Sequence, residues 1–163
     1  MGDAPEAWPW GAWGSEMSEG RRTEMKDLSG VRVLVVEDEF IVSLTLKVQL
    51  EAMGCDVVGT ARDAGGAVAQ AEALHPDVVL MDIGLSGSDG VEATRAIMSQ
   101  APTSIIAVTA YGDDRVQRAL QAGARLALTK PVVEEQLARA ILEATAHLPA
   151  RPGPGASGDP TPR

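Results

Sequence analysis

Hydrophobic positions along the middle of the chain alternate between two patterns. Val31-Arg32-Val33-Leu34-Val35-Val36 is a short β-branched run of the kind buried on both faces of a parallel sheet. Phe40 to Met53 then carries apolar residues at Ile41, Leu44 and Val48, with Leu50 and Met53 nearby, and stops at Gly54, a usual residue just past a helix C-terminus. The same succession predicts strand Asp56 to Thr60, helix Ala64 to Leu74, strand Asp77 to Met81, helix Gly90 to Gln100 and strand Ser104 to Thr109. Helix Asp113 to Ala122, strand Arg125 to Leu128 and helix Val132 to His147 complete it, the last with an apolar stripe at Val133, Leu137, Ile141 and Ala144.

Five βα units of this size imply an α/β fold: a parallel sheet with helices on both faces, because each crossover is right-handed and lays its helix on one face. Ligands of such sheets bind at the carboxyl ends of the strands. No GxxxxGK[ST] and no GxGxxG follows a strand, which removes the main support for a nucleotide site.

The two ends read differently. Residues 1–28 are rich in Gly, Glu and Ser, with Trp8, Trp10 and Trp13 in a Pro/Gly setting that has no strand or helix period. They are expected to be a disordered extension, with a docking peptide as the alternative reading of the Trp cluster. Residues 149–163 hold Pro149, Pro152, Pro154, Pro160 and Pro162 among Gly and Ser and read as a second disordered tail, which leaves 29–148 as one domain.

Composition narrows the function. With 45% apolar and 23% charged residues, and no apolar run of membrane-spanning length, neither membrane insertion nor a secretory start is expected, and the chain reads as cytoplasmic. A net charge of -9 argues against direct nucleic-acid binding, which needs a basic face. The single cysteine, Cys55, beside Val57-Val58, reads as a small core residue. His75 and His147 have no partners at ligand spacing.

The polar residues expected at strand C-termini are Glu37 and Asp38 after the first, Asp82 at the third, Thr109 at the fourth and Lys130 after the fifth. Each alone is explicable as a helix cap or a strand end. Together they put carboxylates, a hydroxyl and an ammonium on one edge. Crowded carboxylates call for a hard cation such as Mg²⁺, and the set describes a site for a phosphoryl group on a carboxylate.

The segments Val33-Leu34-Val35-Val36-Glu37-Asp38-Glu39, Pro76-Asp77-Val78-Val79-Leu80-Met81-Asp82, Ala107-Val108-Thr109-Ala110 and Leu128-Thr129-Lys130-Pro131 resemble the four signature segments of the response-regulator receiver family, over about Val31 to His147. The resemblance implies a doubly wound, flavodoxin-like sheet of order 2-1-3-4-5 with five helices. It implies that Asp82 is the phospho-acceptor and nucleophile, that Asp38 ligates Mg²⁺ directly, and that Glu37 acts outside the direct ligands or through water. Gly84 stands where the family's backbone carbonyl binds the metal, Thr109 would bond the phosphoryl oxygen, Lys130 would pair with it, and the Lys130-Pro131 peptide would be cis. It further implies a sensor histidine kinase or histidine phosphotransfer protein as partner. The surface of helix 113–122, strand 125–128 and helix 132–147 would serve for output or for a homodimer.

Two positions depart from that pattern. Ala127 stands where the family often has an aromatic switch residue, and Tyr111 is either a partial substitute for it or a loop tyrosine. Gly84 and Ala110 would leave the approach to Asp82 open to water, which implies a short phosphoryl lifetime. A phosphoaspartate hydrolase is a competing reading, but its second Asp two residues past the nucleophile is absent, since Gly84 is there. A docking module that has lost phosphorylation is the other alternative, against which the full set of five residues speaks.

Overall fold

The computed structural model describes residues 28–110 and 114–148. Expectations for the two tails, and for Tyr111 and Gly112, lie outside the described residues. Five strands, β1 (Arg32–Val36), β2 (Asp56–Ala61), β3 (Val78–Asp82), β4 (Ser104–Thr109) and β5 (Leu126–Thr129), alternate with five helices. The helices are α1 (Phe40–Ala52), α2 (Ala64–Leu74), α3 (Gly90–Gln100), α4 (Arg115–Ala122) and α5 (Glu134–Thr145). The sheet is parallel throughout, in the order β2-β1-β3-β4-β5. This is the expected doubly wound topology, and every element falls within two residues of its sequence-based bounds.

The period-2 pleat divides the central strands between two cores. Val33, Val35, Val78, Leu80, Ile106 and Val108 pack with Leu46, Leu50 and Met53 around α1 and with Leu137, Ile141 and Ala144 of α5. Leu34, Val36, Val79, Met81, Ile105 and Ala107 pack on the other face with Ala67 and Ala71 of α2, Val91 and Ile97 of α3 and Ala119 of α4. Burial on both faces explains why these strands read as unbroken apolar runs. Cys55 lies in the first core, where burial pushes its thiol up to about 11, so it is an inert packing residue.

Two expectations are corrected, and the face that α1 buries is identified. Leu28, assigned to the N-terminal extension, is fully buried in the first core, so the packed unit starts before residue 29. Ile41, Leu44 and Val48 mark α1 as a helix, but they face solvent, and the buried face is Leu46 and Leu50. Val133, placed in the stripe of the last helix, is its exposed N-cap residue.

Local signals set the helix ends near the site. Asp63 caps α2 by accepting from the Gly66 N–H at 2.7 Å, and Asp89 caps α3 by accepting from Val91 N–H at 2.8 Å. Asp63→Ala should lower stability by about 1 kcal/mol, the usual cost of a lost N-cap, read as a drop in denaturation midpoint at unchanged slope. A loss several times larger would mean that Asp63 does more than cap.

Candidate functional site

Asp82 is the last residue of β3 and keeps the pleat of Val78 and Leu80, so it ends the row that faces α1 and α5. It is almost fully buried. Its Oδ1 accepts from the Gly84 N–H at 2.7 Å, and its Oδ2 lies 3.1 Å from Lys130 Nζ. Glu37, just past β1, is 1% exposed. One of its oxygens accepts from the Glu39 N–H at 3.1 Å, while Oε2 forms an ion pair with Lys130 Nζ at 2.7 Å without hydrogen-bond alignment. One ammonium therefore bridges two buried carboxylates. Lys130 itself is held by its backbone N–H, which donates to the Thr109 carbonyl at 2.8 Å, and the Lys130-Pro131 peptide is cis.

Asp38 completes the group. Its Oδ2 accepts from the Ser86 N–H at 2.9 Å, and one oxygen from each of Glu37, Asp38 and Asp82 lies within 4.8 Å of the others. The Ser86 hydroxyl and amide hold the Asp38 carboxyl down at about 2, so it is ionised at neutral pH. Burial pushes the Glu37 carboxyl above its ordinary range despite the bond to Lys130. Burial also works against the charge on Lys130, but the two carboxylates outweigh it and raise its affinity for a proton. Three carboxylates against one ammonium leave an excess of negative charge in a partly buried space.

Thr109, at the end of β4, is 3% exposed and donates its hydroxyl to the Ala110 carbonyl at 3.1 Å. It sits one residue beyond Val108, the register partner of Asp82. Ala127 pairs with Ala107 across β4 and β5 and packs on the second core. Tyr111 lies outside the described residues. Two contributors carry no signal in the sequence. Ser86 holds Asp38, but a loop serine looks like any other until the loop's path brings it to a partner. Arg115 begins α4 near Gly84: a Cβ added at Gly84 would stand 3.3 Å from Asp82 Oδ1 and 3.4 Å from an Arg115 terminal nitrogen. The approach expected to be open is therefore bordered by a guanidinium.

Hard oxygen donors, one of them firmly ionised, beside a backbone turn at Gly84 suit a divalent cation of the Mg²⁺ class. The donor set thus fits the metal that the sequence implied.

Residues 33–142 match the response regulator receiver domain model. The chain is 39% identical over 111 residues to the transcriptional regulatory protein PdtaR of Mycobacterium tuberculosis, covering 68% of this chain and 54% of that protein. It is 36% identical over 118 residues to the transcriptional regulatory protein LiaR of Bacillus subtilis, covering 71% and 56%. The chain thus spans about half the length of these curated relatives. Among solved structures, it superposes on the signal receiver domain of a modulated diguanylate cyclase from Desulfovibrio desulfuricans with a TM-score of 0.66 at 38% identity, covering 71% of this chain and 93% of that one. The response regulator domain of Thermotoga maritima CheB gives 0.62 at 36% identity, covering 70% and 92%. Among the described residues, no helix is long and apolar enough to cross a membrane.

Proposed function

Since the chain belongs to the response-regulator receiver family, the domain of two-component signalling, we propose that it accepts a phosphoryl group on Asp82 with the help of Mg²⁺. The donor is a sensor histidine kinase or a histidine phosphotransfer protein, and the output is a changed surface on α4, β5 and α5. The observation that carries this reading is the Lys130 ammonium, 3.1 Å from Asp82 Oδ2 and 2.7 Å from Glu37 Oε2, beside the third carboxylate of Asp38.

Asp38, Asp82 and the Gly84 carbonyl would hold the metal, with Glu37 reaching it through water. When bound, the ion offsets the charge that three carboxylates and a phosphoryl group bring together. The chain's own residues do the rest. An Asp82 carboxylate oxygen attacks phosphorus in line, and a P–O bond forms as the donor's P–N bond breaks. Lys130 shifts from neutralising two carboxylates to pairing with the phosphoryl oxygens. Thr109 exchanges its bond to Ala110 for one to a phosphoryl oxygen, which draws the end of β4 inward and biases the position of α4. With alanine at 127, β5 offers no aromatic side chain to follow this movement. Arg115 supplies a second cation on the Gly84 side of the acceptor.

No activity beyond self-phosphorylation and self-dephosphorylation is proposed. The match to a protein-glutamate methylesterase of Burkholderia thailandensis runs over 111 residues and covers 30% of that protein. A net charge of -9 and a phosphoryl-bearing face also fit a protein partner better than direct nucleic-acid contact.

Metal binding tests the reading without any phosphodonor. Saturating Mg²⁺ should raise the melting temperature, since a ligand at a hundred times its Kd stabilises by about 2.7 kcal/mol. Asp38→Asn should lose most of that rise, because it removes the ionised ligand. A rise equal in both proteins would place the ion elsewhere and undercut the proposed site.

A further inference from the structure

The buried Asp82 carboxylate has a cation on each side. Lys130 Nζ lies 3.1 Å from Oδ2. On the other side the Gly84 N–H holds Oδ1, and beyond Gly84 comes the guanidinium of Arg115. A single methyl group added to Gly84 would stand 3.3 Å from Oδ1 and 3.4 Å from Arg115 Nη2, so one carbon would touch both. Gly84 is exposed and Arg115 is half-buried. The guanidinium therefore borders the space that a side chain at residue 84 would fill.

The placement of Arg115 runs against local preference. It is the first residue of α4, and Arg118 lies in the same turn, where the positive end of the helix disfavours cations. The N-cap residue Asp114 makes no side-chain capping bond, and no acidic residue follows in the first turn. At a spacing of three the two arginines are neighbours on the helix surface. Arg118 Nη2 lies 3.8 Å from Oδ2 of Asp89, the N-cap of α3 at the far end of the loop that Asp82 begins. The arginine face of α4 is thus turned toward the loop after the acceptor. A local preference set aside beside a candidate site points to a functional placement.

We propose that Arg115 binds the phosphoryl group of Asp82 from the α4 side and slows its hydrolysis. This rests on the reading of Asp82 as the acceptor and deepens it. A phosphoryl group extends past the carboxylate into the gap between Lys130 and Arg115, and it brings anionic oxygens that a planar guanidinium binds in pairs. In hydrolysis a water oxygen reaches phosphorus in line and bonds to it. The P–O bond to Asp82 breaks, the carboxylate leaves with the electron pair, and the water's proton passes to solvent as phosphate is released. Glycine at 84 and alanine at 110 put nothing in the path of that water, and taken alone they imply a short lifetime. Arg115 fills part of the opening and lengthens it. Because Arg115 opens α4, the phosphoryl group also gains a direct contact with that helix.

The test starts from protein phosphorylated with acetyl phosphate and Mg²⁺ and then freed of donor. By intact mass, Arg115→Ala should lose its adduct about tenfold faster than wild type, the worth of one hydrogen bond to a charged group. Arg115→Lys keeps the charge without the planar fork and should fall between the two, which preserves the comparison even if the alanine variant unfolds. Beryllofluoride occupies the phosphoryl position without reacting, and it should bind Arg115→Ala about tenfold more weakly. The affinity of the unphosphorylated domain for Mg²⁺ should stay as in wild type. Arg95→Ala, which removes an exposed cation of α3, should change none of these. Equal loss rates in wild type and Arg115→Ala, after normal uptake on Asp82, would overturn the inference and leave the acceptor reading intact. No adduct on the wild type would overturn both. Tighter Mg²⁺ binding by Arg115→Ala would overturn the inference too, by making the guanidinium a stand-in for the metal. So would an equal effect of Arg95→Ala, which would reduce it to net charge.

Discussion

Lys130→Met is expected to slow phosphoryl uptake from acetyl phosphate by about 100-fold or more, the usual cost of removing one well-placed group that stabilises developing charge. The same change should destabilise the protein by roughly 3 kcal/mol near pH 8, the low end for breaking a buried pair because Lys130 is partly exposed. The loss arises on the carboxylate side. Glu37 is almost fully buried, and without the ammonium 2.7 Å away it keeps the Glu39 N–H but no cation against the negative charge of Asp82. Its carboxyl is already raised by burial, and the substitution raises it further. A carboxyl raised in the folded state penalises folding while it is ionised, and the penalty disappears as pH falls through its folded-state value. The stability gap between variant and wild type should therefore narrow from pH 8 to pH 5. In the wild type the sign reverses for Lys130. Its raised affinity for the proton contributes stability that is complete below its ordinary value of 10.5 and is lost above it. A gap that widens on acidification would show that Glu37 is not the group left stranded.

Gly90→Ala should be among the most damaging single-methyl changes in the domain. Gly90 opens α3 against the end of β3, and a Cβ there would meet the Asp82 carbonyl oxygen and stand 2.6 Å from the Ile83 Cα. Both obstacles are backbone and cannot rotate away. Overpacking of this kind costs about 1–3 kcal/mol, and the upper end is expected here. Because the strand end that must yield carries Asp82, phosphoryl uptake should also slow, by about 10²-fold for a displacement near 1 Å. Gly84→Ala is the control: its Cβ would sit 3.3 Å from Asp82 Oδ1, tight but against side-chain atoms. Thermal melts and single-turnover rates of the two variants would separate backbone exclusion from side-chain crowding. Equal effects would refute the packing argument for Gly90.

These two residues also illustrate what the sequence makes legible. Lys130, Asp82, Glu37 and Asp38 come together on sequence grounds alone, because strands buried on both faces leave unbroken apolar runs whose next polar residues must gather at one sheet edge. Gly90 does not stand out in the same way, since close approach of a helix to a strand end is a tertiary fact. The orientation of α1 is hidden for a different reason. Ile41, Leu44 and Val48 compete with Leu46, Leu50 and Met53 as candidate core faces, and a helix apolar on both sides gives little periodic contrast. The sheet selects the second set, which leaves the first at the surface. Ser86 and Arg115 act through loop path and helix placement, for which single residue types give no sign.

The central claim is that Asp82 takes the phosphoryl group in a metal-dependent reaction, and intact mass tests it most directly. Wild type and Asp82→Asn are incubated with acetyl phosphate in Mg²⁺ and, separately, in EDTA. One phosphoryl adduct in the wild type with Mg²⁺, and none in EDTA or in Asp82→Asn, is the predicted result. An unmodified wild type, or an equal adduct on Asp82→Asn, would contradict it.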